Sequence, residues 1–322
     1  MARLAVTGVA GFIGSNLADR LLREGHEVIG IDNLAYGLRA QIPDGVTFVE
    51  ADIRNRELAK VLSGVDAIFH LAAKNCIPDC EDDPVEAASI NVEGTVNVFE
   101  ASRHANVRKI IYAETSALYE GSPHLPSREG DVAPVSFYAI SKLAGMEFAR
   151  RYARKFGMHV TALRYFNVYG PRQDYRRTIP PVMSAFIISL LQGRPPVIYG
   201  TGEKRRDFIF VDDVNDFHIQ CLSDPRTDGG TFNLGTGTNY SVLEIYAKLT
   251  TMIGSSKNPA HRADMPGDEA QATLADISRA RALGWEPRVA LEDGLRKSIE
   301  FIREQILEFG QLPDGRREDS KI

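Results

Sequence analysis

A chain of 322 residues and 35.6 kDa exceeds one small domain and falls short of three; it holds two domains, or one large core with a lobe. Hydrophobic residues at 43% and charged ones at 25% exclude a mainly disordered chain, and a net charge of −5 argues against a nucleic-acid binder. No apolar run reaches the roughly 20 residues of a membrane span, and the first residues, Met1-Ala2-Arg3-Leu4-Ala5-Val6-Thr7-Gly8, carry no apolar signal core. The expectation is a cytoplasmic protein without membrane contact.

The predicted elements alternate along the first half. Strands at 4–7, 28–31, 47–50, 67–71, 110–113 and 160–164 are apolar on successive residues, as strands buried on both faces are. Helices at 14–23, 55–62, 84–103 and 138–155 lie between them. This order predicts right-handed βαβ units and an α/β fold, a Rossmann-type doubly wound parallel sheet with helices on both sides. A seventh strand is predicted at 231–234. Pro171, Pro180, Pro181, Pro195 and Pro196 break the chain around a short helix at 182–191, and helices at 242–252 and 291–305 flank a polar stretch at 255–271. The expected division is a nucleotide-binding domain over 1–171 and 203–237, a smaller carboxyl-terminal α/β lobe over 172–202 and 238–309, and a frayed polar tail over 310–322.

Gly8-Val9-Ala10-Gly11-Phe12-Ile13-Gly14 follows the first strand and opens the first helix. Glycines spaced in threes allow a tight turn and let backbone N–H groups approach a pyrophosphate, which the helix N-terminus then attracts. Asp32 ends the second strand, near the usual spacing of about 20 residues, where a carboxylate accepts from ribose hydroxyls and repels a 2′-phosphate. The pair predicts NAD rather than NADP. Asp52 and Ile53 follow the third strand, where an adenine ring would lie. Leu71, Ala72, Ala73 and Lys74 follow the fourth, and small residues there let a cofactor pass close to the backbone. His70 reads as a packed histidine, not a catalyst. The three cysteines, Cys76, Cys80 and Cys221, are too few for a disulfide scaffold. Cys76 and Cys80 have no second ligand pair, so no metal is expected.

Tyr138 and Lys142 stand four apart at the start of a helix and share one face of it. An ammonium close to a phenol favours the phenolate, and such a tyrosine can take a proton from a substrate hydroxyl.

With this pair in place the chain resembles the extended short-chain dehydrogenase/reductase family, the nucleotide-sugar epimerases and dehydratases. The resemblance covers about residues 3–305 and rests on Gly8 to Gly14, Asp32-Asn33-Leu34, Asp52-Ile53-Arg54, His70 to Ala73, Asn91-Val92-Glu93-Gly94-Thr95, Thr115 to Tyr119, Tyr138 to Lys142, Arg164 to Arg172, Arg206-Asp207-Phe208-Ile209 and Asn233-Leu234-Gly235. It implies that Asn33 belongs to the cofactor site and that Thr115 is the third catalytic residue, with Ser116 beside it. Its 4,6-dehydratases carry Asp-Glu after this Thr, and its decarboxylases and some other dehydratases keep a Glu, where this chain has Ser116-Ala117, which cannot exchange a proton near neutral pH. That leaves reversible oxidation of one alcohol, an epimerisation at C4 through a 4-keto sugar.

The resemblance further implies that Asn167 and Arg206 contact a substrate diphosphate and that Val197 and Tyr199 lie on a short strand at a uracil edge. It implies a UDP-hexose or UDP-N-acetylhexosamine as substrate, and a homodimer joined through a four-helix bundle. The chain departs from the family at Met265, where a second phosphate arginine is usual; Arg262 is the candidate replacement, with Asp268 following in the same loop. Thr273 is small at the place where a bulky side chain would exclude a 2-acetamido group. The rival readings are an epimerase of a UDP-uronic acid or of a non-uridine nucleotide-sugar, a nucleotide-sugar reductase, and a catalytically idle NAD-binding protein.

Overall fold

The computed structural model describes residues 1–173, 175, 180–264, 270–310 and 312. Seven parallel strands make the central sheet: β1 (Arg3–Thr7), β2 (Glu27–Asp32), β3 (Thr47–Glu50), β4 (Ala67–His70), β5 (Lys109–Thr115), β6 (His159–Tyr165) and the late strand Thr231–Leu234. Their spatial order runs from Thr231–Leu234 through β6, β5, β4, β1 and β2 to β3. The chain moves outward from β1 to β3 and then crosses back to β4 on the other side of β1. Such a reversal opens a crevice at the carboxyl ends of the strands, where α/β folds bind ligands.

Alternate residues of β1 serve opposite faces. Leu4 and Val6 pack with Leu17 and Leu21 of helix Phe12–Arg23 and with Val214 and Phe217 of helix Val211–Ser223. Ala5 packs with Ile29, Ile68 and Val98 on the other face. Helix Phe137–Phe156 completes that second face, Met146 and Ala149 lying against Ile110 and Tyr112 of β5. A separate hydrophobic cluster joins Phe186 and Ile187 of helix Val182–Leu191 to Ile245 and Leu249 of helix Val242–Ile253 and to Leu295 and Ile299 of helix Leu291–Phe309. Beside it lie two short ribbons, Val197–Tyr199 paired parallel with Ala260–Arg262, and Arg205–Asp207 paired antiparallel with Asn239–Ser241.

Several segments differ from the predicted elements, helices Ile77–Asp82 and Ser278–Arg281 among them. The helix expected at 84–103 is α-helical only at Pro84–Ala88 and Thr95–His104; between them Ser89–Gly94 widens into a π-turn. Asn91 in that turn accepts from the backbone N–H of Lys74 at 2.8 Å and donates to the Lys74 carbonyl at 2.9 Å. The helix expected at 55–62 shrinks to Leu58–Val61, because the Asn55 side chain caps the Glu57 N–H in a turn of its own. Helix Val211–Ser223 has no counterpart among the predicted elements; Asp212 and Asp213 in its first turn are what a helix N-terminus favours. Most of the tail expected at 310–322 lies outside the described residues. Among the described residues no helix is long and apolar enough to cross a membrane, and no group of three or more His, Cys, Asp or Glu is placed to hold a metal ion.

Candidate active site

The glycine loop closes on itself so tightly that side chains are excluded. A Cβ on Gly14 would lie 2.1 Å from the Gly8 carbonyl oxygen, and Gly8 has φ +76° with the Ala72 backbone N only 2.9 Å from where a Cβ would be. Gly8 therefore has both a left-handed backbone and no room. The space in front of the loop is a cavity floored by the glycines, walled on one side by Asp32, Asn33, Asp52 and Ile53 and on the other by Leu71, Ala72, Ala73 and Lys74. A long, narrow cradle of backbone ending at a helix N-terminus fits a dinucleotide.

At its adenosine end the Asp32 carboxylate accepts from the Ala10 N–H at 3.0 Å and the Leu34 N–H at 2.8 Å. Burial pushes its pKa up while those amides pull it down; the net direction is up. Two amides leave lone pairs for ribose hydroxyls, since a carboxylate offers about four acceptor sites. Asp52 is held down to about 2 by the two-point contact of Arg54, with Asn33 donating at 2.9 Å. Lys74 is buried and pairs with Glu86. Burial works against its ammonium, but Glu86 more than offsets it and its pKa lies above the ordinary lysine value.

The other end of the cavity is carried by helix Phe137–Phe156, which brings Tyr138 and Lys142 into its lining. Ser136 caps its first turn, accepting from the Ala139 N–H at 3.2 Å, so Tyr138 and Lys142 sit on an element that starts at a fixed point. Ser141 donates to the Tyr138 carbonyl at 2.7 Å and accepts from Asn91 at 3.0 Å, tying the helix to the π-turn. Lys142 is buried with its Nζ 4.3 Å from the centre of the Tyr112 ring, and Tyr112 donates its hydroxyl to the Lys142 carbonyl at 3.1 Å. Gly145 makes room for this, because a Cβ there would come 2.4 Å from that hydroxyl. Burial lowers the Lys142 pKa to about 8 and the attraction of Glu114 works the other way, so the ammonium stays charged near neutral pH. His70 is fully enclosed, bonded to Thr7 at 2.8 Å and Thr95 at 3.0 Å, and pushed down to about 3 by burial and then by Lys142. It is a neutral packing residue.

A second cavity opens from the first. Phe12, Ile13, Asn75, Glu114, Tyr138 and Tyr165 line both, and the second is completed by Thr115, Ser116, Asn167, Arg206 and Thr273. Thr115 ends β5 with its hydroxyl accepting from the Ala117 N–H at 3.1 Å, which leaves its own proton to donate. Asp207, beside Arg206, is buried and taken up by the Thr236, Gly237 and Ala275 N–H groups.

All the residues expected at the cofactor line the first cavity. Of those expected at the substrate, Thr115, Ser116, Asn167 and Arg206 line the second; Val197, Tyr199 and Arg262 lie on the lobe's parallel ribbon, outside that lining; Asp268 and Met265 lie outside the described residues. The sequence reading passed over Glu114, Tyr165 and Glu86. For Glu114 a signal existed, a charged residue closing an otherwise apolar strand directly before Thr115.

A sheet reversed at β1, a glycine cradle ending at an acid, and a Tyr–Lys pair on helix Phe137–Phe156 define a dinucleotide-dependent oxidoreductase-type fold. The sequence matches the NAD dependent epimerase/dehydratase family across residues 4–235, and the chain belongs to that family. It is 37% identical over 310 residues to the UDP-glucose 4-epimerase of Mycolicibacterium smegmatis, a match spanning 94% of this chain and 98% of that one. A crystal structure of UDP-glucose 4-epimerase from Thermotoga maritima with UDP-glucose superposes with a TM-score of 0.91 at 33% identity, covering 94% of this chain and 99% of that one. UDP-glucuronic acid 4-epimerase from Bacillus cereus, in complex with UDP-glucuronic acid and NAD, superposes with a TM-score of 0.87 at 31% identity, with the same coverage. The cofactor of the family is NAD.

Proposed function

We propose that the two joined cavities bind NAD and a UDP-sugar and invert the sugar at C4, the substrate being a UDP-hexose or a UDP-N-acetylhexosamine. The chain is an NAD-dependent nucleotide-sugar 4-epimerase. The observation that carries this reading is Tyr138, which lines both cavities beside Lys142 on one side and Thr115 on the other. When bound, NAD accepts the C4 hydride and gives it back to the opposite face. Tyr138 takes the C4 hydroxyl proton and later returns it, which a charged Lys142 favours electrostatically. Thr115 donates its hydroxyl to the reacting oxygen and stabilises the charge that gathers there. Ser116 and Ala117 supply no acid or base for an elimination, which supports epimerisation over dehydration. Asn167 and Arg206 hold the diphosphate, a planar guanidinium suiting phosphate oxygens, while Val197 and Tyr199 flank the uracil and Arg262 stands in for the arginine absent at Met265. Thr273 leaves room at C2 for an acetamido group.

The nucleotide-binding domain is 1–171 with 203–237 and the substrate lobe is 172–202 with 238–309; the lobe's helices share one hydrophobic cluster, which Tyr169, Phe208, Phe210 and Val211 of the nucleotide-binding segments join at the boundary. The working unit is a homodimer. Val85, Phe137, Ile140 and Phe148 are exposed apolar residues on the helices that would pair across its two-fold axis. The compartment is the cytoplasm. The direct test is incubation with UDP-glucose, UDP-N-acetylglucosamine and UDP-glucuronate without added cofactor, read by NMR from the couplings of the C4 proton. Conversion of either of the first two supports the reading. Conversion of UDP-glucuronate alone replaces it with the uronic-acid reading that the Bacillus cereus relative favours, and net consumption of reduced cofactor replaces it with a reductase.

A further inference from the structure

Glu114 is a buried carboxylate at the heart of the site with no assigned part in it. It sits next to Thr115 on β5, lines both cavities together with Tyr138, and is 2% exposed. Directly across the ladder, in register, stands Arg164 of β6, whose Nε donates to Glu114 Oε2 at 2.9 Å. That arginine is fixed from behind: its Nη1 donates to the Tyr119 hydroxyl at 2.9 Å and to the Glu129 carbonyl at 2.7 Å. Glu114 Oε1 is buried with no hydrogen-bond partner among the described residues. A carboxylate placed this deep with half its acceptors uncommitted is costly for a bond that exists only to join two strands.

We propose that Glu114 is a positioning residue for the acid/base pair: clamped by Arg164, its negative charge keeps the buried Lys142 ammonium protonated and so sets the pH range over which Tyr138 works. This rests on the reading of Tyr138 and Lys142 as that pair. Among the described residues Glu114 is the one anion acting on the Lys142 ammonium. Lys142 faces Glu114 and the Tyr112 ring from β5 and neutral His70 from β4, and it lines the cofactor cavity together with Tyr138, one turn away on its own helix. Glu114 faces Arg164 from β6, Lys142 and Arg150 from helix Phe137–Phe156, and the Tyr112 and Tyr119 phenols. Burial has already brought Lys142 to about 8, close to the working range. Losing one nearby anion lowers the protonation pH of the Tyr138–Lys142 pair as a whole, whichever member a given probe reports.

The test is Glu114→Gln, which keeps shape and removes charge, together with the double variant Glu114→Gln/Arg164→Met, which also removes the guanidinium that the single change would strand. Two readouts are taken. One is the pH profile of UDP-sugar epimerisation; both limbs should move to lower pH, by about one unit in Glu114→Gln and by less in the double variant, where a cation leaves with the anion. The other needs no substrate: the phenolate absorbance of Tyr138, as the difference between each protein and its Tyr138→Phe counterpart, should shift its midpoint the same way. If no UDP-sugar is turned over, the proposed reaction fails while the absorbance titration still decides the role of Glu114. Limbs or midpoints that stay within 0.2 units of wild type in folded Glu114→Gln, a shift to higher pH in the folded double variant, or failure of both variants to fold, would make the Glu114–Arg164 pair a structural bridge and overturn the proposal.

Discussion

The two cavities share six residues and are built on opposite plans. The cofactor cavity is made mostly by stretches of chain at the carboxyl ends of neighbouring strands, closed at one end by Tyr138 and Lys142, and its cradle consists of backbone N–H groups, glycines and one acid. The substrate cavity draws Thr115 from β5, Tyr138 from a helix, Asn167 from the turn after β6, Arg206 from an antiparallel ribbon and Thr273 from a late loop. The first is a property of local chain geometry; the second exists only because distant segments meet. The difference teaches where substitutions should act: changes in the glycine cradle and at Asp32 disturb cofactor choice or the fold of the loop, a change at Tyr138, which both cavities share, disturbs rate alone, and a change at Lys142, which lines only the cofactor cavity beside it, disturbs rate and cofactor binding together.

The sharpest test of that contrast is at the junction. Tyr138→Phe should keep the fold and NAD affinity and lose about 10²–10⁴ in turnover, whereas Lys142→Met should lose rate comparably and also weaken NAD, measured by titration. The double variant should be little worse than the poorer single, since groups acting as a unit are not additive. Wild-type turnover in Tyr138→Phe would sink the catalytic assignment. Next in size, Thr115→Val should raise the barrier by about 2–4 kcal/mol if its hydroxyl stabilises the developing charge; a loss confined to KM would assign it to binding instead.

Stability carries its own signature of the buried lysine. The Lys142 pKa is lower in the fold than in the unfolded chain, so between about 8 and the free lysine value the unfolded state holds more protons and stability rises with pH. The gain is at most about 1.4 kcal/mol per pH unit. Thermal unfolding of the NAD-free protein should therefore find Lys142→Met ahead of wild type at pH 7, with its lead shrinking toward pH 10; a constant lead would mean the ammonium is not desolvated. In the cofactor cavity the effect is smaller and concerns choice. NAD should bind at least tenfold more tightly than NADP, because a 2′-phosphate would face the Asp32 carboxylate, and Asp32→Ala should narrow the gap. The smallest effect is expected at Thr273→Tyr, which should reduce turnover of UDP-N-acetylglucosamine relative to UDP-glucose by roughly tenfold, the range a lost pocket contact commands; an unchanged ratio would remove Thr273 from the sugar site.

What the sequence by itself determined is whatever repeats at short range. Glycine spacing dictates the cradle because only glycine tolerates the φ of Gly8 and the contact at Gly14. Continuous apolar runs dictate buried parallel strands, and a four-residue interval puts Tyr138 and Lys142 on one helical face. Tertiary structure alone decided the rest. The break in the helix over 84–103 comes from Asn91 reaching the backbone of Lys74, a contact set by where β4 ends, which helix periodicity does not encode. The charge environment of Lys142 depends on Glu114, and that of Glu114 on Arg164, 50 residues further along the chain and joined to it only through strand register. Pairing and burial of charges are long-range quantities: they depend on which strands lie side by side and how much water is excluded between them.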